Sequence, residues 1–186
     1  MTIDGKPLPV GRCSKDPDAR GGHLGKGYKL HAIWGDKPLP EAWAVTAVRQ
    51  YEGAVAEELL TQITGKGVLL GDGNYEASRL YDAAAARGYQ LLAHPDPQDT
   101  GKGHRYQSPH RTLALRWFRE GLGWGLYKER TSIERMFGNA GSFGGGLGPL
   151  PSWVRRRGRV ERWVWCKLVI NAARITYRRQ QKERLQ

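Results

Sequence analysis

The chain has 186 residues, 39% of them hydrophobic, and a formal net charge of +12, which suits one domain with a buried core and is short for two. Two isolated cysteines, Cys13 and Cys166, exclude a disulfide scaffold and a thiolate zinc site. No run approaches the roughly 18 apolar residues of a membrane span, and Met1 to Asp4 does not read as a secretory leader, so a soluble cytoplasmic protein without membrane partners is expected.

In chain order, IDGKPLPV, then Tyr28 to Gly35 (YKLHAIWG) and Ala42 to Val48 (AWAVTAV) alternate as strands separated by Gly- and Pro-bearing turns, which predicts an antiparallel meander. Glu52 to Thr64 switches to helical spacing, and VLLGDGNY from Val68 follows as a short buried strand. EASRLYDAAAARG predicts a helix stopped at Gly88, and Tyr89 to Pro95 another strand. The order is βββαβαβ, with crossover helices joining the later, parallel strands. Asp96 to His110 is polar and rich in Gly and Pro, predicting an inserted loop that we extend over 96–116. The glycines between Gly138 and Gly148 should interrupt helix. Val160 to Gln180 then predicts a long helix with an apolar stripe (Val164, Leu168, Ala172, Ile175) and a polar one (Lys167, Asn171, Arg174, Arg178) left free for phosphate.

Charge is placed unevenly: Pro151 to Gln186 holds 11 basic and 2 acidic residues. A basic block on a nearly balanced domain suits a polyanionic partner, DNA or RNA, because neutralised phosphates release counterions. The most informative motif is YKERTSIERMF, Tyr127 to Phe137. On a helix Tyr127, Arg130 and Glu134 share one face. A carboxylate there can hold a divalent metal while the guanidinium and phenol contact a phosphate; the plain alternative is a solvated Arg–Glu pair worth a few tenths of a kcal/mol. Two further acids stand at strand positions: Asp4 on the first strand and Asp72 at the end of VLLGD. Asp4-Gly5 and Asp72-Gly73-Asn74 also read as turn sequences, but an acid at a buried strand end is costly without a compensating cation.

YKERTSIE matches the Y-x2-R-x3-E signature of the DDE transposases of bacterial insertion sequences, in the group of insertion sequences four and five, which this chain resembles. IDGKPLPV, GYKLHAI and LLGDGNYEASRLYDAAAARGYQLLA are similar to the family as well, so the likeness covers most of residues 1–186. It implies a mixed α/β ribonuclease H-like fold, three antiparallel strands with a parallel extension and flanking helices. Asp4, Asp72 and Glu134 would be the catalytic acids and would bind two Mg2+ ions, with Mn2+ able to substitute, for DNA strand nicking and strand transfer. Tyr127 and Arg130 would position phosphates of the transposon end, and Lys29, Arg155, Arg156, Arg157 and Arg174 would hold flanking and target DNA. A homodimer in the DNA complex belongs to the same expectation. Two departures stand out. Gly141 occupies the place of a basic residue seven positions after the Glu, leaving Arg135 or Arg155 as substitutes. Only three residues precede Asp4, where family members carry a helical DNA-binding region; the chain therefore reads as the catalytic part of a longer transposase with weak recognition of transposon ends.

Rival readings are weaker. Gly71-Asp72-Gly73 precedes a helix as a dinucleotide fingerprint would, but Glu76 stands at its third glycine. Gly25-Lys26, Gly65-Lys66 and Gly101-Lys102 lack the glycine and the hydroxyl of a P-loop, and His23, His31, His94, His104 and His110 show no metal-ligand spacing. Trp153, Trp163 and Trp165 interleaved with arginines would suit a noncatalytic nucleic-acid platform, and a ribonuclease H-like nuclease would use the same three acids.

Overall fold

The computed structural model describes residues 1–22, 25–95, 106–142 and 146–185. Strands β1 (Thr2–Pro9), β2 (Arg20–Gly22), β3 (Gly25–Trp34) and β4 (Ala42–Ala47) are antiparallel neighbours. Strands β5 (Gly67–Gly71) and β6 (Tyr89–Ala93) add on in parallel to β1, giving the order β2-β3-β1-β5-β6 with β4 following β2 along the far edge of β3. Parallel pairing needs crossovers. They are supplied by α1 (Glu52–Leu60) between β4 and β5 and α2 (Ser78–Ala85) between β5 and β6. The result is a mixed α/β sheet with flanking helices, the ribonuclease H-like arrangement.

Alternation along the strands builds two cores. Ile3, Ile33 and Ala42 face α1 and α2, while Leu8, Tyr28, Leu30, Ala32, Trp34 and Val45 face the other side, under helices α5 (Thr131–Ser142) and α6 (Arg157–Arg184). Covered on both faces, β3 is buried without a break from Gly27 to Trp34. Pro7 and Pro9 are tolerated in β1 because β5 pairs with it only at its start, Thr2 opposite Leu70. Beyond that pair the two strands part.

Three expectations change. The short β2 has no alternating pattern in Arg-Gly-Gly to announce it. Of the loop expected over 96–116, residues 96–105 lie outside the described residues, and from Pro109 the chain is helix: α3 (Pro109–Arg119) starts with Ser108 Oγ accepting from the amides of His110 at 3.1 Å and Arg111 at 3.4 Å. The glycine run is likewise helical at first, since Gly138 and Gly141 belong to α5; residues 143–145 are outside the described set. Each glycine costs up to about 1 kcal/mol, and burial of Ile133, Phe137 and Ala140 against β1 and β3 outweighs it.

Helix α6 is longer than expected, and its stripe is reversed in part. Val160, Val164, Leu168 and Ala172 are buried, but so are Lys167 and Asn171, with the Lys167 ammonium 4.3 Å from the centre of the Trp163 ring. The stretch expected to face phosphate turns inward there, and only toward Arg174 and Arg178 does it reach the surface. Two carboxylates from the β1–β2 connection receive the start of α6: Asp16 Oδ2 accepts from the Arg156 amide and Asp18 Oδ2 from the Arg157 amide, each at 3.0 Å. Among the described residues no helix is long and apolar enough to cross a membrane.

Candidate active site

Asp4 and Asp72 flank the parting of β1 and β5. Each lies two residues past the Thr2–Leu70 pair, so the register sets them side by side at the sheet's carboxyl-end opening. Asp4 Oδ1 accepts from the Gly5 amide at 2.7 Å. Asp72 caps a 3-10 turn (Gly73–Tyr75), accepting from the Asn74 amide at 2.8 Å. Burial pushes the Asp4 carboxyl above the usual range, the Gly5 amide opposes this, and the charge of Asp72 raises it further. Asp72 is raised too, mainly by burial, with Glu52 adding to the effect and Arg130 and Lys29 opposing it. Two raised carboxylates side by side attract a compensating cation.

The protein supplies one such cation itself. The expected helix from Tyr127 is three pieces: α4 (Leu122–Tyr127), a 3-10 turn (Lys128–Arg130) and α5. The tighter turn still brings Arg130 and Glu134 onto one face. Arg130 Nη2 bonds Glu134 Oε1 at 2.8 Å and Nη1 lies 3.6 Å from Asp4 Oδ2. Its guanidinium lies 5.7 Å from the centre of the Tyr127 ring. Tyr127 also packs edge-on against His94, Phe118 and Trp124; burial is the main cause raising its phenol, Arg130 opposes it, and the charges of Asp72, Asp4 and Glu134 add to the rise. Glu134 remains 56% exposed at its side chain, against 19% for Asp4.

Behind this cluster, on the α1 face of the sheet, lies a group that the sequence did not single out. Lys29 donates to Glu52, and Tyr75 donates to the other Glu52 oxygen at 3.1 Å. Lys29, expected to hold DNA, is 8% exposed at its side chain and engaged in this buried pair. The three positions are far apart in sequence, and no local pattern links them.

The C-terminal arginines are placed elsewhere. Arg155 donates to the carbonyls of Pro151 at 2.6 Å and Val154 at 2.8 Å, Arg156 pairs with Asp18 at 3.8 Å, and Arg157 with Glu161 at 2.8 Å. They organise the start of α6, and among the described residues no hydrogen bond or ion pair joins them to Asp4, Asp72 or Glu134. Arg174 is half-buried further along α6. Arg135 stands exposed on α5 beside Glu134, and Gly141 is exposed on the same helix.

Three carboxylates are suitable oxygen donors for a hard divalent cation. In kind they fit; in arrangement they are incomplete, since among the described residues no three acidic, His or Cys side chains are grouped closely enough to hold a metal ion. Arg130 fills the space between Asp4 and Glu134.

A sheet in which antiparallel strands lead into two parallel ones, with acids at the point where β1 and β5 part, defines the ribonuclease H-like class. The family model of the transposase DDE domain matches residues 1–186, and this chain belongs to that family. Membership of this family points to transposition-related nuclease activity on DNA, and the family typically uses divalent metal ions. Comparison with curated proteins finds no match. Comparison with solved structures finds none.

Proposed function

We propose that residues 1–186 form the catalytic domain of an insertion-sequence transposase of the group of sequences four and five, with Asp4, Asp72 and Glu134 holding Mg2+, or Mn2+ in its place, during nicking and transfer at transposon ends in the cytoplasm. The observation that carries this reading is the guanidinium of Arg130 bridging Asp4 and Glu134 beside Asp72. A forked guanidinium binds phosphate in the way it binds carboxylate. When the scissile strand enters, Arg130 takes phosphate oxygens with the Tyr127 hydroxyl beside it, and the two carboxylates it held become available as ligands. The bound cation supplies charge neutralisation and a lowered pKa for the attacking hydroxyl. In the nicking step water oxygen bonds to phosphorus as the bond to the 3′ oxygen breaks; in transfer the freed 3′-hydroxyl attacks a target phosphodiester in the same sense. Arg135 and Arg174 contact DNA beyond the site, and two copies act together on paired ends.

The test uses the whole chain with supercoiled plasmid in Mg2+ or Mn2+. Wild type is expected to nick it in a metal-dependent way, and Asp72→Asn to abolish nicking while salt-sensitive DNA binding persists. Nicking that survives Asp72→Asn, or that ignores chelation, refutes the assignment; DNA binding without nicking in either metal supports the noncatalytic alternative.

A further inference from the structure

We infer that Glu52 is a positioning residue that sets the spacing of Asp4 and Asp72, an inference resting on their reading as cation ligands. Each aspartate has a glycine as its neighbour, and each glycine is overlaid by a side chain that ends on Glu52. A Cβ at Gly5 would come within 2.5 Å of Lys29 Cε, so the lysine stem lies across the backbone just after Asp4. A Cβ at Gly71 would meet Tyr75 Cδ2 at 3.0 Å, so the tyrosine lies across the backbone just before Asp72. Lys29 then donates to Glu52 Oε1 and Tyr75 to Glu52 Oε2 at 3.1 Å.

One carboxylate at the start of α1 therefore gathers both arms. Through Lys29 it is pressed against β1 at the first aspartate, and through Tyr75 against the end of β5 at the second. The strands have already parted at this level, and no ladder bond holds the aspartates together. The Lys29–Glu52–Tyr75 strut does so from the opposite face. Alternation fits this, since Asp4 faces α5 and the glycine after it leaves the α1 side open for the lysine. Outer-shell partners of this kind typically cost about 10- to 100-fold in metal affinity when removed.

The experiment is Mn2+ titration of the whole, DNA-free chain by calorimetry, with thermal melting to follow folding. Glu52→Gln is expected to weaken Mn2+ binding about tenfold or more. Tyr75→Phe, which keeps every charge and removes one arm, is expected to weaken it in the same direction by a smaller factor. A Lys29→Gln/Glu52→Gln double variant separates geometry from charge: it restores the local charge balance, and positioning requires that binding stay weak. Wild-type Mn2+ affinity in Tyr75→Phe, or full recovery in the double variant, overturns the inference, and Tyr75→Phe decides the matter should Glu52→Gln not fold. Undiminished Mn2+ binding by Asp4→Asn and Asp72→Asn overturns instead the reading on which it rests.

Discussion

Replacing Arg130 with glutamine is expected to tighten Mn2+ binding to the DNA-free protein while impairing DNA cleavage. The arginine contacts Asp4 at 3.6 Å and Glu134 at 2.8 Å, so a cation that recruits both carboxylates must break both pairs. The Glu134 pair is largely solvent-exposed and falls at the low end of about 0.2–1 kcal/mol for surface pairs. The Asp4 pair is better sheltered, with both side chains about a fifth exposed, and about 1 kcal/mol is a fair value for it. Together these give about 1.2 kcal/mol, or a roughly eightfold lower Mn2+ dissociation constant. The measurement belongs at pH 8, because Arg130 holds the Asp4 carboxyl down and its loss lets that carboxyl rise further. With plasmid present the order reverses, since the variant lacks the guanidinium that takes the phosphate oxygens of the entering strand, and nicking should fall by about 100-fold or more. Equal or weaker Mn2+ affinity in a variant that melts like wild type would sink the competition between Arg130 and metal.

Two pH effects should be separable. Asp4 and Asp72 have folded-state pKa values above their ordinary ones, so their contribution to stability is present at low pH and lost as pH rises through the raised values. Asp72→Asn should thus raise the melting temperature at pH 8 by about 2–4 °C per kcal/mol recovered, with the gain shrinking toward pH 4; a loss of stability at pH 8 would contradict this. His31 works in the opposite sense: burial chiefly lowers its pKa to about 4, with Glu52 opposing and Lys29 assisting. Its contribution is complete above about pH 6.5 and is lost as pH falls toward 4, on the order of 3 kcal/mol in all. A histidine NMR titration should show one ring, absent in His31→Gln, that stays neutral at pH 5.5.

The strand order was readable because it rests on local alternation: Ile33 and Ala42 on one face, Leu30 and Val45 on the other. Glycine content misled at α5, where the helix is maintained by Phe137 and Ala140 packing on strands more than a hundred residues away. At α3 a usable signal was present in Ser108-Pro109 and was hidden by the polar stretch before it. Helical spacing correctly made Arg130 and Glu134 neighbours, since an i,i+4 relation is local. Glu52, Lys29 and Tyr75 meet only through the sheet, and nothing in a linear reading joins residues 23 apart on different elements. Counting charge over Pro151 to Gln186 could not reveal that Arg156 and Arg157 already have Asp18 and Glu161 as partners.

The reception of α6 by Asp16 and Asp18 joins the beginning of the chain to its far end, across 140 residues of sequence in the case of Asp16 and Arg156. On the ribosome, at about 5–20 residues per second, β1, β3 and β4 emerge well before α5 and α6. The α1 face can close while synthesis continues, because all its helices lie earlier in the chain. The face bearing Asp4 must wait, its apolar residues bare, for the 28-residue helix that covers it. A nascent chain is thus foldable on one side first, and the side that would handle DNA is completed last.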